Sequence, residues 1–213
     1  AEQLAAMTVE EKVGQLLIAG MEGTTPGQDA VTAVQEYHVG GVILFGRNVE
    51  GAEQLAALTN GLKELNGDYV PLFLGVDEEG GRVSRMPPEV TDLPAALTFG
   101  SIEDPEARMN ACFDLGQVLA QECGTFGFNL DFAPVMDIWS NPENTVIGDR
   151  AFGTNATTVT WAANETALGI LAGGVIPVAK HFPGHGDTAV DSHLGLPRVD
   201  KTEEALEQLE LIP

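Results

Sequence analysis

The chain has 213 residues, of which 44% are apolar and 20% are charged. This composition is typical of a globular protein and excludes collagen-like, coiled-coil and disordered chains. The 32 acidic residues against 10 basic ones give a formal net charge of −22. A surface of that sign repels nucleic acid backbones and anionic lipid headgroups, so we expect neither nucleic acid nor membranes among the partners.

The sequence also lacks the signals of membrane insertion and export. No apolar run reaches the ~18 to 20 residues needed to span a bilayer. The first residues, Ala1, Glu2 and Gln3, lack the basic stretch that opens a signal peptide. We expect a soluble chain without a membrane segment. Its location, cytoplasmic or exported, stays open because a removed signal or lipid anchor would leave no trace.

Short apolar or β-branched runs alternate with longer stretches of helical periodicity. A capping box at Thr8 and Glu11 predicts an opening helix, which leads into a strand near Ile18. Further strands are predicted at residues 42–45, 72–76, 128–133 and 176–179. Helices are predicted at residues 30–37, 52–65, 105–124, 157–172 and 202–211. The proline-containing stretch 86–97 is predicted to be a rigid loop.

This alternating order requires a parallel sheet covered by helices, either an open sheet or a closed barrel. Polar residues follow strand after strand, which favours a barrel with its site at the carboxyl ends. No glycine-rich dinucleotide fingerprint occupies the first turn after a strand. We therefore predict the α/β class, with a (β/α)8 TIM-type barrel present only in part. About five β/α units would form a single truncated domain over residues 1–213, with the C-terminal units missing.

A closed barrel of this type needs eight strands. We expect either that the chain is a fragment of a longer protein, or that a second chain supplies the remainder of the barrel. The two cysteines, Cys112 and Cys123, fall on one face of the helix predicted at 105–124. They lie three turns apart, roughly 16 Å along the axis, too far for a disulfide bond. Both are expected to be free core thiols.

The densest polar cluster contains three of the four histidines, His181, His185 and His193. Pro183, Gly184 and Gly186 forbid a helix, so the segment must be a loop that follows the strand at 176–179.

The residues alone leave three interpretations of this loop open. Asp191 and His193 could form a dyad in which the carboxylate fixes the imidazole tautomer and His193 acts as a general acid/base. A metal site is the second interpretation, although the spacing fits no standard metal motif. Its ligands would be His181, His185, Asp187 and His193. In the third interpretation, the histidines only brace a glycine-rich loop.

A second segment, residues 77–85, carries three acids, two glycines and two arginines directly after a predicted strand. An aspartate at a strand end, here Asp77, can accept two hydrogen bonds from the vicinal diol of a sugar. The alternative is an internal brace between acids and arginines, which we expect for Glu79 with Arg82. A third segment, residues 146–153, places Arg150 between glycines.

Together these segments resemble glycoside hydrolase family 3, and within it the β-N-acetylglucosaminidases. The resemblance lies in Lys-His-Phe-Pro-Gly-His-Gly-Asp at 180–187 with Asp-Ser-His at 191–193, Asp-Glu-Glu-Gly-Gly-Arg-Val-Ser-Arg at 77–85, Gly-Asp-Arg-Ala-Phe-Gly at 148–153, and Met-Thr-Val-Glu-Glu-Lys-Val-Gly-Gln at 7–15. It covers nearly the whole chain.

The resemblance implies a retaining, two-step hydrolysis that releases terminal β-linked N-acetylglucosamine from cell-wall or chitin-derived saccharides, with no metal or other cofactor. It assigns the acid/base role to His193, assisted by Asp191. The family's sugar-binding positions fall on Asp77, Arg85, Arg150, Lys180 and His181. An imidazole can protonate a leaving oxygen and then accept a proton from water near neutral pH.

The family's nucleophile is an aspartate on a later strand, and this sequence stops before that region. We therefore expect little or no glycosidase activity from the 213-residue chain alone. Asp131 and Asp137 are expected only as supports. Two other functions stay open: a metal-dependent hydrolase built on the histidines, and a sugar-binding domain without catalysis.

Overall fold

The computed structural model describes residues 2–188 and 198–213. The chain divides into two compact units. The first comprises Ala1–Asp77, Arg85–Thr91 and Glu122–Asp131, and the second comprises Glu78–Ser84, Asp92–Gln121 and Phe132–Pro213. Asp191 and His193, the predicted acid/base dyad, lie outside the described residues.

In chain order the elements are α1 (Glu2–Ala6), α2 (Val9–Gly14), β1 (Ile18–Gly20), α3 (Gln28–Val31), β2 (Gly41–Leu44), α4 (Ala52–Asn66), β3 (Phe73–Val76), α5 (Ala96–Gly100), α6 (Pro105–Thr125), β4 (Leu130–Asp131), α7 (Ala156–Ala172), β5 (Ile176–Pro177) and α8 (Glu203–Glu207). A π-helical turn, Thr32–Glu36, extends α3. Turns of 3-10 helix occur at Gly46–Asn48 and Gly148–Arg150.

The first unit contains a parallel sheet in which β1, β2, β3 and β4 pair in succession. Gly41 lies opposite both Ile18 and Phe73, and Gly75 lies opposite Leu130. Parallel neighbours require a crossover connection, which the intervening helices provide. The inner strands are nearly continuous apolar runs, as expected for a sheet covered on both faces. The buried side chains of this unit include Val42, Leu44, Leu55, Leu58, Leu62, Leu74 and Val76.

The second unit contains its own parallel pairing, between residues 133–136 and residues 178–180. The amide of Val178 donates to the Ala133 carbonyl at 3.0 Å, and the amide of Met136 donates to the Lys180 carbonyl at 2.6 Å. Extended, paired backbone therefore continues beyond β5, which ends at Pro177. Together they cover most of the strand predicted at 176–179. This pairing brings Asp137 and His181, which follow the paired segments, to the same end of both.

Helices α6 and α7 approach closely within the second unit because glycines face each other. A Cβ on Gly116 would lie 2.1 Å from the carbonyl oxygen of Thr166, and one on Gly169 would lie 2.1 Å from that of Phe113. Any larger residue would push the helix backbones apart. These two glycines therefore set the close crossing of α6 and α7 within the second unit.

Most of the predicted elements are confirmed, including the opening helix with its capping box. The Glu11 amide donates to Thr8 Oγ1 at 3.2 Å, and the Thr8 amide donates to Glu11 Oε2 at 2.7 Å. Cys112 and Cys123 are buried and free, as expected. Within the part of the chain that the structure describes, no helix has the length and apolarity to cross a bilayer.

Two predicted elements are shorter than expected, for local reasons. The strand predicted at 128–133 is reduced to β4 because the Leu74 amide pairs with the Asn129 side chain instead of with a backbone carbonyl. That side chain accepts from the Leu74 amide at 2.8 Å and donates to the Leu72 carbonyl at 2.9 Å, while the Asn129 backbone amide donates to the Leu74 carbonyl at 3.1 Å. The helix predicted at 202–211 ends at Glu207, since the amides of two later residues both turn back to the Leu206 carbonyl.

Candidate active site

A buried carboxylate, Glu79, holds two of the predicted sugar-binding cations. Arg150 donates from Nε and Nη2 to its two oxygens, both at 2.8 Å. Lys180 Nζ lies 2.5 Å from the Glu79 Oε1 atom that Arg150 Nη2 also contacts. Two parallel bonds fix the plane of the guanidinium group as well as its position. Glu79 therefore sets the relative placement of Arg150 and Lys180.

The turn that carries Arg150 is anchored by a second arginine. Arg82 Nε donates to Asp149 Oδ1 at 2.8 Å. Its Nη2 atom lies 2.8 to 3.0 Å from the three carbonyl oxygens of residues 145–147. A guanidinium group with several backbone acceptors stabilises one conformation of the turn.

The expected brace between Glu79 and Arg82 is wrong. Glu79 pairs instead with Arg150 and Lys180, and Arg82 contacts the 145–149 turn. The reason is the pair of glycines between them, which adopt positive φ angles of 78° and 55°. Left-handed backbone at two successive positions sends the side chains on either side in different directions.

A second buried carboxylate, Asp137, organises the histidine loop. Its Oδ2 lies 2.5 Å from His181 Nδ1, and its Oδ1 accepts from the backbone amide of His185 at 2.6 Å. An ionised carboxylate only accepts, so His181 carries a proton on Nδ1. Its Nε2 then lies 3.5 Å from Arg150 Nη2. Asp137 acts as the support that the sequence predicted, and it orients the His181 ring.

His185 braces the loop. Its Nδ1 lies 2.6 Å from the Thr188 hydroxyl, and its carbonyl accepts from Asn144 Nδ2 at 2.7 Å. Asn144 is buried and also accepts from two backbone amides of its own turn. Gly186 completes this packing, since a Cβ there would lie 1.7 Å from the Ile138 carbonyl oxygen. For His185 the geometry matches the bracing interpretation.

Three of the four residues proposed as metal ligands contact other protein groups. His181 and His185 each direct Nδ1 at a protein partner, and Asp187 lies 3.0 Å from the ammonium group of Lys201. The fourth ligand, His193, lies outside the described residues. Among residues 2–188 and 198–213, no three His, Cys, Asp or Glu side chains are placed to hold a metal ion together.

The structure thus brings together three of the predicted site residues, Arg150, Lys180 and His181. Asp77 and Arg85 belong to the first unit. Asp77 is half-buried and directly follows β3, at the carboxyl end of the sheet, as predicted.

The exposed Phe182 ring and the His181 ring border two cavities in the second unit. One has a volume of about 160 Å³ and is also lined by Asp137 and Lys180. The other has a volume of about 330 Å³ and is also lined by His185. Concave sites with a few convergent polar groups are where small ligands bind.

Two contributors to the site were missed by the sequence analysis. The sequence pattern predicts Arg82 as the partner of Glu79, and it gives no prediction for Asn144. The signal for Glu79 was present, because a carboxylate followed by two glycines at a strand end is unusual for a solvated charge run. Asn144 lies in an ordinary polar turn, so no local signal identified it.

Known proteins resemble this chain in sequence along most of its length. A family profile described as the glycosyl hydrolase family 3 N terminal domain matches residues 8–213. The chain belongs to this family. It is 40% identical over 199 residues to a beta-hexosaminidase of Alkalilimnicola ehrlichii, covering 92% of this chain and 56% of that protein. It is 38% identical over 194 residues to beta-hexosaminidase A of Pseudoalteromonas piscicida, covering 89% of this chain and 32% of that protein.

Solved structures give the same result for the fold. A glycoside hydrolase family 3 beta-N-acetylglucosaminidase from Paenibacillus sp. str. FPU-7 matches with a TM-score of 0.90 and 40% identity, over 97% of this chain and 39% of that chain. NagZ from Neisseria gonorrhoeae in complex with N-trifluoroacetyl-D-glucosamine matches with a TM-score of 0.83 and 37% identity, over 92% and 57%. The α/β class and the partial (β/α)8 barrel are confirmed. The present chain spans about a third to a little over half of the length of these four proteins.

Proposed function

We propose that this chain is the first part of the catalytic barrel of a retaining exo-β-N-acetylglucosaminidase, with residues 1–213 forming one truncated domain. The substrate would be a saccharide from a cell wall or from chitin, with terminal β-linked N-acetylglucosamine. The observation that carries the proposal is the convergence of Arg150, Lys180 and His181 on two buried carboxylates. The names of the family 3 relatives support it.

The sugar-binding role follows from how these side chains are held. Arg150 and Lys180 donate hydrogen bonds to sugar hydroxyls, and Glu79 keeps both cations in place before the substrate arrives. Donors that are already oriented need no reorganisation when the sugar binds, which favours affinity and catalysis. As the family resemblance implies, Asp77 would accept hydrogen bonds from the vicinal hydroxyls of a sugar, and Arg85 would donate hydrogen bonds to a sugar.

The proton-transfer role is assigned to His193. In the first step it donates a proton to the glycosidic oxygen as the bond to the anomeric carbon breaks and a carboxylate nucleophile forms a covalent glycosyl intermediate. In the second step it accepts a proton from the water that hydrolyses this intermediate. Asp191 would hold the imidazole in the required tautomer. By resemblance to the family, the nucleophile is an aspartate of a later strand.

This assignment is tested by measuring how the hydrolysis rate depends on the leaving group. The measurement uses the full-length polypeptide, by which we mean residues 1–213 joined to the remainder of the proposed barrel. His193→Ala should slow hydrolysis of an alkyl N-acetylglucosaminide by about 10²- to 10⁴-fold, and slow the dinitrophenyl glycoside far less, because that leaving group needs no proton. His38→Ala is the matched control, since His38 lies in the first unit and stacks on Tyr69. Equal losses for both substrates would contradict an acid role.

The two alternative functions give different results in the same assays. A metal-dependent hydrolase would lose activity with EDTA and regain it with the ion. A sugar-binding domain would bind N-acetylglucosamine in calorimetry, with loss of binding in Asp77→Ala, but the full-length polypeptide would not turn over substrate. Residues 1–213 alone should show little or no hydrolysis of p-nitrophenyl N-acetylglucosaminide. Turnover by this chain alone at the rate of the full-length polypeptide would contradict the proposal that the nucleophile lies outside residues 1–213.

A further inference from the structure

One short turn, residues 79–82, holds the proposed sugar-binding residue Arg150 from two sides. Glu79, at the start of the turn, accepts both parallel hydrogen bonds from the Arg150 guanidinium group. Arg82, at its end, binds the carbonyl oxygens of residues 145–147, which precede Arg150 in the chain. The Arg150 side chain and the backbone before it are therefore held by the same four residues.

Arg82 and Arg150 also share one acceptor. The Val146 carbonyl oxygen lies 2.8 Å from Arg82 Nη2 and 3.2 Å from Arg150 Nη1. These two contacts, the Arg150–Glu79 pair and the turn between Glu79 and Arg82 form a closed ring. Hydrogen bonds connected in this way depend on one another, because a shift of the Val146 carbonyl moves an oxygen that Arg150 contacts.

The 79–82 turn is itself packed in place. The amide of Gly81 donates to the Leu93 carbonyl at 2.8 Å. A Cβ on Gly81 would lie 2.8 Å from the Ala95 Cα, so the turn lies directly on this neighbouring backbone. The charged side chains at the two ends of the turn therefore extend from a fixed base.

Exposure distinguishes the role of Arg82 from a contribution to stability. The side chains of Arg82 and Asp149 are 46% and 48% exposed, whereas those of Arg150 and Glu79 are 13% and 5% exposed. An exposed ion pair contributes little to the free energy of folding. A planar guanidinium group that reaches several acceptors still restricts the geometry of the backbone that it binds. Loss of Arg82 should therefore disturb the placement of Arg150 more than it lowers stability.

We propose that Arg82 is a positioning residue for sugar binding, which keeps the turn at 145–149 where Arg150 reaches the sugar. The inference rests on the sugar-binding role proposed for Arg150. Arg82 acts through the backbone carbonyls of the turn, and Arg150 makes the contact with the sugar.

Kinetics of the full-length polypeptide test this proposal. Arg82→Met keeps most of the side chain's length and removes its hydrogen-bond donors, so kcat/KM should fall about 10-fold, the cost of a small misplacement of a binding group. The loss should be equal for the dinitrophenyl and alkyl N-acetylglucosaminides, because Arg150 would contact the sugar and not the leaving group. Arg82→Lys keeps the charge without the planar fork and should still lose at least about threefold. Wild-type kcat/KM in Arg82→Met would overturn the proposal.

A double-mutant cycle shows whether Arg82 acts through Arg150. In the Arg150→Ala background, Arg82→Met should change kcat/KM for the dinitrophenyl glycoside less than about twofold, because the group that it positions is absent. A general disturbance of the fold would lower kcat/KM in both backgrounds. The full loss in the Arg150→Ala background would therefore contradict a positioning role.

The matched control is Arg198→Met. Arg198 also pairs with a carboxylate, that of Asp200 at 2.7 Å, but the two side chains are 79% and 74% exposed. Because this pair contributes little, kcat/KM should stay at the wild-type value for both substrates.

A nuclear magnetic resonance signal separates failure of this inference from failure of the proposed function. The Arg150 Nε–H group donates to Glu79 at 2.8 Å, and its ¹⁵N and ¹H shifts should move in Arg82→Met but not in Arg198→Met. If they move but Arg150→Ala leaves kcat/KM unchanged, the sugar-binding role of Arg150 fails and the hold of Arg82 on Arg150 stands. If they do not move while Arg150→Ala lowers kcat/KM, the inference about Arg82 is wrong.

Discussion

Asp137 and His181 are 44 residues apart in the chain, yet the carboxylate Oδ2 lies 2.5 Å from the ring Nδ1. The parallel pairing of residues 133–136 with 178–180 creates this contact, because it brings the residues that follow each segment to one end. The Asp137 side chain is fully buried. A buried carboxylate depends on its hydrogen-bond donors, so the contact fixes both the loop and the ring.

Asp137→Asn should therefore disturb the hydrogen bonds of the histidine loop without leaving a cavity. The amide keeps one acceptor and replaces the other with a donor, which then faces either His181 Nδ1–H or the His185 amide. We expect kcat/KM of the full-length polypeptide for p-nitrophenyl N-acetylglucosaminide to fall by about 10- to 100-fold. The ¹⁵N shifts of the His181 ring should report a changed tautomer. Asp200→Asn, at an exposed position, is the control and should leave both unchanged; wild-type values for Asp137→Asn would refute this role.

Glu79→Gln should weaken sugar binding and stability together. It removes the negative charge that Arg150 and Lys180 share. Loss of one partner from a buried ion pair costs about 3 to 5 kcal/mol of unfolding free energy. We expect this loss in urea denaturation and a weaker Kd for N-acetylglucosamine in calorimetry.

The control for Glu79→Gln is Asp149→Asn. Asp149 pairs with Arg82 at 2.8 Å, but both side chains are nearly half exposed. This substitution should cost less than about 1 kcal/mol. Similar costs for the two variants would contradict the structural role assigned to Glu79.

Gly116→Ala should destabilise the helix crossing in the second unit. Its new Cβ would lie 2.1 Å from the Thr166 carbonyl oxygen and 2.8 Å from the Ile170 nitrogen, both backbone atoms. Overpacking of this kind costs typically about 1 to 3 kcal/mol. Gly124→Ala, on the same helix, has no atom within 4 Å of its Cβ position and should be neutral or stabilising by up to about 1 kcal/mol. Thermal unfolding of the two variants should shift in opposite directions, or only Gly116→Ala should shift downward.

Cys112 should react slowly and make stability depend on alkaline pH. Burial raises the pKa of its thiol from 9.0 to about 11, against the opposing effects of a hydrogen bond with Thr166 and the charge of Arg108. Above pH 9 the unfolded chain loses this proton before the folded chain does, so stability falls from about pH 9 to about pH 11.

Two measurements check this prediction. Native protein should react with a disulfide reagent at pH 8 far more slowly than protein in urea, because the thiolate is the reactive form. Cys112→Ala should reduce the decline in unfolding free energy above pH 9. An unchanged pH profile in Cys112→Ala would show that other groups cause the decline.

The local elements of this protein could be predicted because each depends on neighbours in the chain. The capping box at Thr8 and Glu11, the α6 span and the loop at 180–188 follow from spacing, periodicity and the positions of proline and glycine. Strand ends were less predictable. The side chain of Asn129 took the place of a backbone carbonyl as the acceptor for the Leu74 amide, and no local pattern distinguishes that from a longer strand.

The sequence by itself determined which residue types gather at the carboxyl ends of the strands, including Arg150, Lys180 and His181, and so indicated the family. Only the tertiary structure decided their partners. It paired Glu79 with Arg150 across 71 residues instead of with the nearby Arg82, and it joined Lys201 to both Asp187 and Glu210. The physical reason is that an ion pair depends on where the backbone carries each charge, and strand register and left-handed glycines set that over distances that local spacing does not encode.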